Sequence, residues 1–131
     1  MSNISDFNVA VNAQTDREHQ VQLGLLQALC QALHEQEDAT SIAQKLDQLT
    51  AYCEAHFVSE ELLMRQKSYD DYEDHVDDHT HMLEVLRDIG TDHAAGKSSV
   101  LVGKAQDALA FIGNHITTRD KRFADFVRNG Q

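Results

Sequence analysis

Five histidines and two acids stand at spacings that metal chemistry can use. His75 and His79 are four residues apart, and so are His56 and Glu60. On a helix that spacing sets two side chains one turn apart on one face, so both can reach a single ion. His19 and His115 fall on the apolar faces of two further helical segments. Asp120 follows His115 by five residues, which on an ideal helix points it about 140° away. It joins the group only if the two approach from opposite flanks or the helix bulges locally. Five imidazoles, two bridging carboxylates and a solvent-derived oxo or hydroxo bridge would fill eleven of the twelve positions of two octahedral ions. A mixed imidazole and carboxylate shell with one open position suits redox-active iron, and the open position would take a small ligand.

Four segments of helical periodicity would position these groups. Residues 16–34 carry His19, Leu23, Leu26, Cys30 and Leu33 on one face. Residues 41–66 carry Ile42, Leu46, Leu49, Cys53, His56, Glu60 and Leu63, and residues 70–90 carry Tyr72, His75, His79, Met82, Leu86 and Ile89. Residues 99–127 carry Leu101, Ala105, Ala108, Ile112 and His115. Asp16, Thr40 or Ser41, and Ser98 or Ser99 are the expected starts, and Gly90 stands where the third helix would end. Gly24 and Gly113 fall inside helices, each at a cost of about 1 kcal/mol against Ala.

Short connections make neighbouring helices antiparallel. The expected fold is all-α, an up-down-up-down four-helix bundle forming one domain over residues 1–131. Residues 1–14 are expected as a polar N-terminal arm with a small apolar patch at Phe7, Val9 and Val11. His19 lies early in its helix, His56 and Glu60 late, His75 and His79 early, and His115 late. In an antiparallel bundle all of these fall at one end. Each would cost a few kcal/mol if buried without a partner, so a shared metal is the economical explanation. The other three histidines fail these tests. His81 faces away from His79, His34 complements the dipole at a helix end, and His93 is expected in the loop before the fourth helix.

Composition narrows the function classes. The 131 residues carry 22 acidic against 11 basic side chains, a formal charge of −11, which disfavours nucleic acid and anionic membrane surfaces as partners. A hydrophobic share of 41% is too high for a disordered acidic tail, and no apolar run is long enough to span a bilayer. Two cysteines make no disulfide framework, which points to a reducing, cytoplasmic setting.

The motifs together resemble the hemerythrin family, specifically bacterial hemerythrin-like domains (bacteriohemerythrins). They are Asp16-Arg-Glu-His19, His56-Phe-Val-Ser-Glu60-Glu-Leu-Leu-Met64, Tyr72-Glu-Asp-His75-Val-Asp-Asp-His79, and Phe111-Ile-Gly-Asn-His115-Ile-Thr-Thr-Arg-Asp120-Lys121. The resemblance spans roughly residues 9–123. It implies a non-haem di-iron centre cycling between Fe2+ and Fe3+ with an oxo or hydroxo bridge. His75, His79 and His115 would hold one iron, His19 and His56 the other, and Glu60 and Asp120 would bridge them. Dioxygen would bind the two-histidine iron, as in a carrier or the oxygen-sensing domain of a signalling protein, with nitric oxide as a further small ligand. A stand-alone protein and a module fused to or docking on a signalling domain both fit.

Leu23, Met82, Phe111, Ile112 and Ile116 are the expected lining of a dry ligand pocket. Phe7, Gln22 and Asp70 depart from the family pattern, and Gln22, if it faces the cavity, would offer a hydrogen bond to bound ligand or speed autoxidation. If His19 and His56 share an iron, Cys30 and Cys53 lie roughly 12 Å apart along the bundle, beyond disulfide reach, so two free, buried thiols are expected. A ferritin-like di-iron oxidase needs Glu-x-x-His on two helices, and that pattern is absent. The expectation is therefore a binding protein rather than an enzyme, with peroxidase-like activity at most a side reaction. A bundle holding zinc or another ion without redox work is the remaining alternative.

Overall fold

Helix-forming sequence continues upstream of the expected first start, and the structure follows it. The computed structural model describes residues 4–129. Helix α1 runs Ile4–His34, α2 Ala39–Gln66 and α3 Tyr72–Ala94. A 3-10 turn at Ser98–Val100 leads into α4, Leu101–His115, which continues through a π-helical turn at Ile116–Asp120 into α5, Lys121–Asn129. Helices α1 and α3 each pack against both α2 and α4, which is the expected up-down-up-down ring.

The N-terminal arm is corrected: residues 4–14 are helical, and Asp16 lies inside α1 rather than capping it. The physical reason is packing against α5. Asn8 is buried, Val11 packs on the cluster of Met64, Tyr69, Phe123 and Val127, and the Asn12 amide donates to the Ala124 carbonyl at 3.0 Å. Val9 is exposed, and the Phe7 side chain lies outside the described residues.

Helix ends also differ from their expected positions. Asp38, not Thr40 or Ser41, caps α2, its carboxylate accepting from the Ser41 amide at 2.8 Å. Helix α3 continues past Gly90 to Ala94, which places His93 in its last turn rather than in a loop. Gly90 serves packing instead: a Cβ there would sit 3.3 Å from Leu46 Cδ2, a distance set by the approach of α2. The turn falls to Gly96 at φ 72°, where the Gly96 and Lys97 amides donate back to the His93 and Asp92 carbonyls at 3.1 and 2.9 Å. Around Gly24 and Gly113 there is open space, so neither marks a close helix approach.

Two apolar regions flank one polar level. The main core includes Leu26, Leu29, Leu49, Met82, Leu86, Ile89 and Leu101, all at most 2% exposed. Each contributes about 1.5–3 kcal/mol through burial. The smaller cluster, around Tyr69 and Phe123, closes the opposite end. Between the two lie the histidines.

Candidate metal centre

Antiparallel packing brings the seven side chains expected as ligands to a single level of the bundle. His19, His56, Glu60, His75, His79, His115 and Asp120 are each at most 6% exposed. Their candidate ligand atoms form two overlapping sets, each within 4.8 Å: Glu60, His75, His79, His115 and Asp120 in one, and His19, His56, Glu60 and Asp120 in the other. The two carboxylates belong to both sets.

Local backbone geometry explains why Asp120 belongs. The segment Ile116–Asp120 is a π turn, the helical bulge that the five-residue spacing required. Its wider turn swings residue 120 onto the face of residue 115, and His115 Nε2 lies 3.0 Å from Asp120 Oδ1. Asp120 also stands 2.9 Å from His19 Nε2 through Oδ2 and 2.7 Å from His75 Nε2 through Oδ1. Glu60 Oε1 lies 2.7 Å from His75 Nε2 and 3.1 Å from His79 Nε2, and its Oε2 lies 3.4 and 3.5 Å from the Nε2 atoms of His19 and His56.

The donor set fits a cation. Five buried atoms at the heart of this cluster, the Nε2 atoms of His19, His56, His79 and His115 and Glu60 Oε2, have no aligned hydrogen-bond partner among the described residues. Such atoms cost about 1–3 kcal/mol each when unsatisfied, and a metal ion satisfies them together. The electrostatics agree. Burial disfavours the protonated form of His19, but contact with Asp120 and Glu60 outweighs it and lifts the pKa to about 10. The same balance lifts His75 to about 9. Burial pushes Asp120 and Glu60 up, but their histidine neighbours win and hold both carboxyls well below the usual range. The two buried carboxylates thus favour positive charge at this level of the bundle.

A surrounding layer of carboxylates was not legible in the sequence. His56 Nδ1 pairs with Glu18 Oε1 at 2.7 Å, His79 Nδ1 with Glu61 Oε2 at 2.8 Å, and His115 Nδ1 with Asp78 Oδ2 at 2.9 Å. Such partners orient an imidazole so that its other nitrogen faces the metal. One signal was available: Glu18, Glu61 and Asp78 each adjoin a candidate ligand in sequence, beside His19, Glu60 and His79. Arg119 in turn bridges Asp78 and Asp71 at 3.3 and 3.2 Å. Phe57 stacks on His79 with ring centroids 4.0 Å apart. Below the centre, burial pushes the Tyr69 phenol up to about 12.

The expected pocket residues separate. Met82 and Ile112 are buried on the core side of the centre. Ile116 lines a cavity of about 210 Å³ together with His19 and Asp120. Leu23 and Phe111 are half-buried, Phe111 carrying the edge of the exposed His81 ring at 4.8 Å. In place of Leu23 and Cys30, the inward stripe of α1 uses Gln22 and Leu29. Both cysteines are free; Cys53 is buried as expected, whereas Cys30 is only half-buried because it lies off that stripe. His34 is exposed at the end of α1, and His93 Nε2 donates to the Ala39 carbonyl at 3.1 Å. No helix among the described residues is long and apolar enough to cross a membrane.

Comparison with known proteins covers most of the chain. Residues 11–127 match the family described as Hemerythrin HHE cation binding domain. A bacteriohemerythrin of Methylococcus capsulatus is 31% identical over 84 residues, 64% of each chain, so the match spans just under two-thirds of that relative. A myohemerythrin of Theromyzon tessulatum is 26% identical over 95 residues, 72% of this chain and 73% of its own. No solved structure matches.

Proposed function

The chain belongs to the hemerythrin family, and from that premise we propose that its buried centre holds two iron ions and binds dioxygen reversibly, as a carrier or as an oxygen-sensing domain. The observation that carries this reading is the pair of ligand sets sharing Glu60 and Asp120, one with five protein ligands and one with four. Each carboxylate can offer one oxygen to either side. His75, His79 and His115 would hold one ion, and His19 and His56 the other. The first set would supply five protein donors and the second four, so the second would leave more room for a small ligand.

When bound, an iron pair supplies the electrons that dioxygen takes up on binding and returns on release. The protein's part is to hold and to exclude. Glu18, Glu61 and Asp78 fix the imidazoles of His56, His79 and His115 by their Nδ1 atoms, leaving Nε2 for the metal. Met82 and Ile112, both at most 1% exposed, keep the core side dry. Arg119, the nearby cation, is engaged by Asp71 and Asp78 and stays on the outer side.

The test is spectroscopic. The protein is purified without oxygen, reduced and analysed for iron, and visible spectra are taken as dioxygen is admitted and removed. Two irons per chain and a band that appears and vanishes with dioxygen are expected. Iron-free protein, or immediate oxidation that dioxygen removal does not reverse, would overturn the reading.

A further inference from the structure

The layer directly on the core side of the centre is chemically uneven. It consists of four residues, each three positions from a histidine: Gln22 after His19, Cys53 before His56, Met82 after His79 and Ile112 before His115. Three positions on a helix is one turn on the same face, so each residue stands over its own histidine. All four are at most 1% exposed. Over the His75–His79–His115 side the layer is apolar. Over the His19–His56 side it is a carboxamide and a thiol, joined by Gln22 Nε2 donating to Cys53 Sγ at 3.2 Å.

That bond leaves most of the amide unused. A Gln side chain can make four hydrogen bonds, and Gln22 Oε1 is buried with no hydrogen-bond partner among the described residues. Exchanging the amide's two ends does not cure this. The Cys53 S–H would then donate to the oxygen and leave both N–H groups unpartnered. In either orientation one end of a fully buried amide has no hydrogen-bond partner among the described residues, which costs about tenfold or more in folding equilibrium. An apolar residue at position 22 would avoid that cost.

We infer that Gln22 is a ligand-contacting residue of the His19–His56 half, its free amide end hydrogen-bonding a small anion of two or three atoms held at the open position. The inference rests on the di-iron reading above. Cys53 acts as a positioning residue, holding one end of the amide so that the other stays available. With its amine end turned to the site, Gln22 offers N–H donors to an anion. With its oxygen turned inward, it accepts from a protonated form of the same ligand.

The experiment uses the full chain loaded with iron, oxidised and titrated with azide, alongside Gln22→Met, Gln22→Leu and Cys53→Ala. Expected results are azide binding weakened about tenfold or more in both Gln22 variants and by a smaller factor in Cys53→Ala, which frees the held end of the amide. The melting temperature of the metal-free Gln22 variants should equal or exceed the wild type's, because an unsatisfied buried acceptor has gone. Unchanged azide affinity, or a melting temperature lowered by several degrees in both variants, would show Gln22 to be structural and overturn the inference. If the wild type binds iron and azide but the variants bind azide equally, the inference alone fails. A wild type that takes up no iron overturns it together with the di-iron reading.

Discussion

The two halves of the centre share their carboxylates and differ in almost everything else. The half formed by His75, His79 and His115 is sealed. Phe57 stacks on His79, Glu61 and Asp78 hold two of its imidazoles, and Met82 and Ile112 cover it. The half formed by His19 and His56 has one such carboxylate, Glu18, and a polar cover of Gln22 and Cys53. It also adjoins two cavities on either side of α1. One, about 210 Å³, reaches His19 and Asp120; the other, about 250 Å³, reaches His56 and Glu60. The division is one of enclosure: the half of His75, His79 and His115 is closed in, and the half of His19 and His56 lies beside open space.

The strongest way to break this comparison is to remove one histidine from each half. His79→Ala should abolish iron retention, because the anchoring half loses a ligand and leaves Glu61 unpaired. His19→Ala should keep about one iron per chain and lose the dioxygen-dependent band. His81→Ala, on the exposed side of α3, should leave both unchanged. Metal analysis of the three proteins distinguishes them, and equal losses in His79→Ala and His19→Ala would refute the division.

A milder probe removes charge from the surrounding carboxylates. Asp78→Asn and Glu61→Gln should weaken metal affinity about 10–100-fold, measured by competition with a chelator. Glu18→Gln should act on the two-histidine half alone, releasing one metal equivalent before the other.

Protons compete with metal in both halves. In the metal-free chain His19 and His75 are lifted to about 10 and about 9, above the ordinary 6.5. Their contribution to stability is therefore complete below pH 6.5 and is lost as pH climbs through 9 and 10. Metal needs both imidazoles neutral. Anaerobic ferrous loading at pH 8 should therefore release the proton of His19 and that of His75, one from each half. Unbuffered titration reads this directly, and loading without acidification would contradict it.

The smallest expected effect lies in the helices that carry the two halves. Gly24 on α1 and Gly113 on α4 both face open space. Gly24→Ala and Gly113→Ala should each stabilise the protein by about 0.5–1 kcal/mol, seen as a higher melting temperature with unchanged iron content.

Much of the centre was legible in the sequence because helical spacing is rigid. Four-residue intervals at His75–His79 and His56–Glu60 survive any detail of packing, and an antiparallel ring then sets the level of every candidate ligand. Other features were not legible, each for a definite reason. On α1, steps of three and four from His19 admit either Leu23 and Cys30 or Gln22 and Leu29 as the inward stripe. The two choices differ by about 100° of rotation per residue, and hydropathy alone favours the wrong one. Residues 4–14 read as an arm because Asn8 and Asn12 are polar, and only their tertiary partners, the Lys67 amine on Asn8 and the Ala124 carbonyl on Asn12, account for them. Glu18, Glu61 and Asp78 look like ordinary members of an acidic surface until each is seen against an imidazole of another helix.

By itself, then, the sequence determined the all-α bundle, the end at which the histidines gather, and which five of eight histidines gather there. These follow from periodicity and chain direction, which are local properties. Tertiary structure decided the rest: the π turn that admits Asp120, the carboxylates behind the histidines, and the unequal cover over the two halves. Those depend on the rotation of each helix about its axis, and that rotation is set only when the four helices pack together.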